Sequence, residues 1–301
     1  MNRYKKVIVP LSLQTGDQEV IAWAGKVSHM AGTDEVEFFH MVEVPEIPER
    51  AKEKYPWLTK PLDGMVKEQM EQLVRDNWEG REETTIGYTV RGGGNAVMSI
   101  LERILEQGSD LVIVGRESYD GDTAVRLARK APCSVMSIPA GGAMKLERIG
   151  VPTDFSGYSE HALDVALAFA EAEGLKEVTS LHIYNLGRFS HRIALPEEEL
   201  KDMAEEYAEE QQKVFVSNVD LRGLEVQQQN SFHQVISSGI LRVSREENWD
   251  LLVTGCRGRD TMTSWLLGGN AESLLRDAPI PVVAAKPKGT GQKLLEALLK
   301  D

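Results

Sequence analysis

The sequence predicts an α/β protein built from two tandem, doubly wound, parallel-sheet domains of five strands each. Three observations carry that prediction. The chain repeats itself: Val7-Ile8-Val9-Pro10 recurs as Ile149-Gly150-Val151-Pro152 and Phe39-His40-Met41 as Leu181-His182-Ile183, both 142 residues later, while Asp110–Gly115 recurs as Asp250–Gly255 after 140 and Ala131-Pro132 as Ala278-Pro279 after 147. Within each copy, short β-branched runs alternate with helical periodicity, the pattern of βαβ units around a parallel sheet. The length of 301 residues also exceeds that of one ordinary compact domain.

In the first copy, the opening apolar strand through Val9 leads to a helix with Val20, Trp23, Val27 and Ala31 on one face. A strand ending at His40, a helix carrying Val66, Met70 and Leu73, and strands at 110–114 and 133–138 complete it. Pro139-Ala140-Gly141-Gly142-Ala143-Met144 then reads as a linker, because small residues and a proline suit a connection better than an element interior. The domains are accordingly placed at 1–140 and 145–290. In the second copy, strands are expected near 148–153, 177–184, 224–229, 250–254 and 280–285. The helix after Asp154 takes Ser156 or Ser159 as N-cap and buries Ala162, Leu163, Val165, Leu167, Phe169 and Ala170. Pro196 followed by Glu197, Glu198 and Glu199 starts another, with Leu200, Met203, Tyr207 and Val214 as its expected buried stripe. A last helix carries Ala271, Leu274 and Leu275 and stops before Pro279.

Composition narrows the function. Hydrophobic residues make up 42% and charged residues 27%, ordinary for a globular chain. The 47 acidic against 34 basic side chains give a net charge of −13, a field that repels nucleic acid. No apolar run reaches the roughly 18 residues of a membrane span, so the chain is expected to be cytoplasmic. Cys133 and Cys256 form neither a disulfide framework nor a metal-ligand spacing, and the six histidines lack zinc-site pairing.

In an open α/β sheet, ligands bind beyond the carboxyl ends of strands. Two segments of the second copy qualify. One is Val151-Pro152-Thr153-Asp154. The other runs from Thr254-Gly255-Cys256-Arg257-Gly258 to Gly268-Gly269-Asn270 and is the longer partner of its counterpart, since Gly255 to Ala278 spans seven residues more than Gly115 to Ala131. Glycines permit positive φ and close main-chain approach, so amides near Gly255, Gly258 and Gly268 to Asn270 are suited to phosphate oxygens, aided by the following helix dipole and by Arg257 and Arg259. Asp154 repels phosphate but accepts hydrogen bonds from ribose hydroxyls or an exocyclic amine.

The duplicated frame, the Val-Pro-x-Asp-x-Ser opening at 151–156, the Leu-His-hydrophobic strand end at 181–183 and the Gly-x2-Gly-x9-Gly loop resemble the universal stress protein (UspA) superfamily over about residues 1–288. That resemblance implies a Rossmann-like, adenine-nucleotide-hydrolase-like fold, ATP or ADP as ligand with Mg²⁺ as a candidate companion, and a role in stress response. By position it assigns Pro152, Thr153 and Asp154 to the adenosine, and Ile183 to adenine through its backbone. Thr254, Gly255, Arg257, Gly258, Gly268, Gly269 and Asn270 go to the ribose and phosphates. Single-domain members pair through their last strands, which implies an intramolecular pseudo-dimer here through 133–138 and 280–285; a homodimer of whole chains is left open. The family usually has Ser or Thr where this chain has Gly269. The first copy departs further: Ser12 stands at the position of Asp154, Gly115-Arg116-Glu117-Ser118 lacks the second glycine, and its loop is short. One competent site, in the second copy, is therefore expected.

Other readings stay beside this one. A slow ATPase needs a positioned nucleophile and metal at the γ-phosphate, yet no Gly-x4-Gly-Lys-Ser/Thr loop or kinase signature set is present. A nucleotide-free interaction scaffold is the third. His40 and His182 are read as structural imidazoles and Cys256 as a loop filler ahead of a redox site. Trp265-Leu266-Leu267 reads as a loop anchor or a docking patch, and the acidic helix as a solvated face.

Overall fold

A computed structural model describes residues 3–42, 50, 63–119, 122–142, 144–186, 195–258 and 267–299. In the first half, β1 (Lys6–Pro10), α1 (Asp17–Ala31), β2 (Glu35–Val42), α2 (Asp63–Asn77), β3 (Thr85–Gly92), α3 (Ala96–Gln107), β4 (Leu111–Gly115), α4 (Thr123–Lys130) and β5 (Ser134–Ile138) follow in order. The second half repeats the scheme with β6 (Ile149–Pro152), α5 (Gly157–Ala172), β7 (Glu177–Tyr184), α6 (Glu197–Ser217), β8 (Glu225–Phe232), α7 (Ile236–Glu246), β9 (Leu251–Gly255), α8 (Gly269–Asp277) and β10 (Val282–Ala285), and α9 (Gln292–Leu298) closes the described chain.

The strands form one ten-stranded sheet in the order β3-β2-β1-β4-β5-β10-β9-β6-β7-β8. Every pairing within a half is parallel. The halves meet where β5 and β10 run antiparallel, with Val283 opposite Met136. The inner strands β1, β4, β5, β6, β9 and β10 are almost wholly buried, as continuous apolar runs must be in a sheet covered on both faces. Edge strand β8 instead reads Glu-Val-Gln-Gln-Gln-Asn-Ser-Phe and has no fully buried residue. Two cores sandwich the sheet. One gathers Trp23, Phe38, Phe169 and Phe215 around α1 and α5, the other Ile100, Leu101, Leu127, Ile240 and Leu274 around α3, α4, α7 and α8; both run across the two halves.

Helix α5 forms as its sequence dictates: Ser156 is the N-cap, its hydroxyl accepting from the Ser159 amide, and the predicted face is buried. Helix α6 differs from expectation. Met203, Tyr207 and Val214 are 59, 57 and 58% exposed, and the packed face is Ala208, Gln212, Phe215 and Val216. The cause is Gln212, a polar residue in the buried register. Its amide nitrogen donates to the main-chain oxygens of Ser180 and Gln229, and its oxygen accepts from the Ser180 hydroxyl. A buried amide so satisfied carries little desolvation penalty, which lets a face with a glutamine at its centre pack on the sheet.

Strands β6 and β9 pair only at Ile149–Leu251 and Gly150–Leu252. Beyond that point Val151 and Pro152 follow β7, with Pro152 opposite Leu181, while Val253 to Gly255 follow β10. The two carboxyl ends therefore diverge and open a crevice between them.

Candidate functional site

At this crevice lies a cavity of about 530 Å³. Small-molecule sites commonly occupy roughly 300–1,000 Å³. From the end of β6 come Pro152, Thr153 and Asp154; from β7, Ile183; from β9 and its loop, Thr254, Gly255, Arg257 and Gly258; and from the entrance to α8, Gly268, Gly269 and Asn270. The eleven residues assigned to the adenosine, ribose and phosphates thus border one cavity. Arg259, Trp265 and Leu266 lie outside the described residues. Leu267 packs on the core beneath α8.

Sequence reading missed Ile236 and Ile240 of α7, which form the apolar wall. Only the placement of α7 beside β7 brings them there; in sequence they follow β8 with no ligand-like signature. Ser159 was also missed as a site residue. Its hydroxyl donates to Asp154 Oδ1 at 2.7 Å, as does that of Ser156 at 2.6 Å, and the Ser156 amide donates to the same oxygen at 3.1 Å. Three donors on one oxygen fix the carboxylate, so Asp154 is both the cap of its own turn and a wall of the cavity.

The other oxygen, Oδ2, reaches the glycine loop: a Cβ on Gly258 would stand 2.6 Å from it. A Cβ on Gly255 would meet the main chain of Tyr158 at 2.9 Å, whereas Gly269 has open space around it. None of Gly255, Gly258, Gly268 and Gly269 has positive φ. The positive φ expected of these glycines is therefore not used. Two of these glycines are required by close approach to protein atoms, one to a carboxylate and one to a helix backbone. Arg257 is buried, its Nη1 donates to the Tyr158 hydroxyl at 2.6 Å, and its guanidinium lies 5.1 Å from that ring's centre. Cys256 is buried and desolvation pushes its thiol up, in keeping with a loop filler.

His182 Nδ1 donates to the Thr153 carbonyl at 2.8 Å, and its ring lies on Phe155 with centroids 4.4 Å apart. His40 makes the same bond to the Leu11 carbonyl at 2.8 Å. A bond present in both halves is a brace of the fold, in keeping with the structural reading.

In the first half the carboxylate and hydroxyl have exchanged places. Ser12 stands where Asp154 does, and Asp17 where Ser159 does. Asp17 is buried and accepts from the amides of Leu13 at 2.6 Å and Gln14 at 3.3 Å; burial raises its pKa against those bonds. Tyr119, at φ +58°, turns its phenol onto the strand ends, donating to the Leu11 carbonyl at 2.9 Å, with the Met41 main chain also bonded to it. Leu11 and Met41 correspond to Thr153 and Ile183, so a side chain of the protein fills the place that in the second half is cavity.

Fold and cleft together define a duplicated, doubly wound α/β protein with a small-molecule crevice at the switch point of its second half. The universal stress protein family model matches residues 3–139 and again 145–286, and the chain belongs to that family. Its fold is similar to that of a universal stress protein from Archaeoglobus fulgidus, at TM-score 0.61 and 17% identity over 94% of this chain and 98% of that one. It is also similar to a functionally unknown protein from Pseudomonas aeruginosa, at TM-score 0.68 and 13% identity over 99 and 98% of the two chains. No curated protein matches it in sequence. Among the described residues, no helix is long and apolar enough to cross a membrane.

Proposed function

We propose that this chain is an adenine-nucleotide-binding protein of the stress response, a non-enzymatic sensor or regulator with one competent site, in the second domain (145–290), beside a degenerate first domain (1–140). The observation that carries the reading is the convergence of all eleven predicted residues on the 530 Å³ cavity. Its chemistry suits the ligand. Ile183, Ile236 and Ile240 offer an apolar slot for a purine, Asp154 an acceptor for ribose hydroxyls or an exocyclic amine, and the first amides of α8, at Gly269, Asn270 and Ala271, lack intrahelical acceptors and suit phosphate oxygens. Among the described residues no group of three or more acidic, histidine or cysteine side chains is placed to hold a metal ion, and an accompanying Mg²⁺ would be held chiefly by the phosphates. The antiparallel β5–β10 junction supports an intramolecular pseudo-dimer.

Denaturing the purified full chain and identifying what it releases by mass tests the reading. ATP or ADP is expected, followed in titration calorimetry by about one site per chain. A chain that releases no nucleotide and takes up neither ATP nor ADP at millimolar supply would refute it.

A further inference from the structure

Helix α8 is gripped from the first half. Arg129, in the last turn of α4, donates from Nη2 to Glu272 Oε2 at 2.5 Å, and Arg116 Nη1 donates to the carbonyl of Ala278 just past the helix end. One end of α8 is thereby tied by a side chain and the other by a main-chain oxygen. The tie is reciprocal. Arg129 and Arg276 are equivalent under the 147-residue shift that aligns the Ala-Pro pairs, and Arg276 reaches back to Asp122 of the first half at 3.3 Å.

Glu272 lies in the first turn of α8, directly after Ala271, which borders the cavity. A carboxylate there favours the helix, but it repels any anion seated on the amides of that same turn. Two guanidiniums face it: Arg276, at 3.2 Å, is shared with Asp122, whereas Arg129 is closer. Arg129 is thus the principal counter-charge, and the bond it makes, ahead of that from Arg276, holds the Glu272 carboxyl below its usual range.

We propose that Arg129 is a positioning residue for the second-half site: it neutralises Glu272 beside the first turn of α8, so the half without a site of its own contributes to the affinity of the other. The proposal rests on the nucleotide reading above. Its test is ADP titration at about 50 mM salt, where screening is weak, with the full chain and its R129A, E272Q and R129A/E272Q variants. Removing one opposing charge beside an anion site is expected to weaken ADP about 3–10-fold in R129A. E272Q should bind at least as tightly as the parent, and the double variant should return to within about twofold of it, because with no carboxylate to neutralise Arg129 has nothing to offset. A role in stability alone would not be rescued by E272Q. R129A binding like the parent, or a loss that persists in the double variant, overturns the role of Arg129 and leaves the nucleotide reading standing. A parent chain that binds no ADP overturns both.

Discussion

Asp154 and Gly258 form the tightest point of the cavity wall, where the carboxylate and the glycine loop touch. A side chain at 258 must displace the Asp154 carboxylate or the loop, so Gly258→Ala should weaken ADP binding and Gly258→Val should abolish it. Asp154→Ala removes the carboxylate altogether. Loss of a hydrogen bond to a charged group costs about 1.5–3 kcal/mol, or roughly 10–100-fold in affinity, and selectivity for adenosine over inosine should narrow as the acceptor for the amine disappears. Competition calorimetry checks both; parent-like binding in both variants would misplace the site. Gly255→Ala belongs to a different class. Its methyl meets the Tyr158 backbone, so the expected result is a lower unfolding midpoint. Gly269 is surrounded by open space and has no positive φ, which makes Gly269→Ser sterically free. Its hydroxyl would supply the donor usual in the family, and ADP should bind about 3–10-fold tighter. Unchanged affinity would show that the α8 amides already saturate the phosphate.

The closing of the first half can be argued from one loop and one side chain. Between Gly115 and Ala131 the chain is seven residues shorter than its counterpart, and Tyr119 seals the strand ends. Tyr119→Phe loses the bonds to the Leu11 carbonyl and the Met41 main chain and should cost about 1–3 kcal/mol, whereas Tyr119→Ala also leaves a cavity and should cost about 3–5 kcal/mol, read from urea midpoints. Calorimetry on Tyr119→Ala should still count one ADP per chain, since the short loop cannot wrap phosphates; a second site would make the phenol the sole barrier. The short loop was legible in the sequence because glycine and Ala-Pro landmarks flank it. Tyr119 was not, because its target, the Leu11 carbonyl, is named only by strand register. The same distinction runs through the rest of the fold. The succession of strands along the chain and the residues at strand ends follow from local pattern, so Asp154 and Gly258 could be placed beside one crevice from sequence alone. The face of α6 was misassigned because a polar Gln212 holds the buried position, and Ile236 and Ile240 were invisible because a wall is defined by what packs across from it.

At the scale of the whole molecule the two halves are joined by more than a strand pair. Lys286, buried at the end of β10, donates to the carbonyls of Ala128 and Ala131 at 2.8 and 2.7 Å and so caps α4 of the other half. Asp164 on α5 takes Arg222 Nη2 at 2.7 Å on one oxygen and Arg3, from the opposite half, on the other. Lys26 of α1 meets Glu173 at 2.6 Å nearby. Burial alone would raise the Asp164 carboxyl, but the bonds from Arg222 and Arg3 outweigh it and hold the group below its ordinary range. A carboxylate whose pKa is depressed on folding stabilises the protein above its unfolded value, near about 4, and loses that contribution as pH falls through the folded value. Asp164→Ala should therefore lower the unfolding free energy by about 1–3 kcal/mol at pH 7, by removing the carboxylate that Arg3 and Arg222 share and leaving Arg222 only Glu171, and the gap to the parent should narrow below about pH 4 as the parent's own carboxyl is protonated. Because Arg3 ties the halves together, the variant should also separate one cooperative urea transition into two, one for each half. Equal loss at pH 7 and pH 3 would mean that packing and not charge accounts for the effect, and a single transition retained in the variant would show that β5, β10 and the Lys286 cap are sufficient to couple the halves.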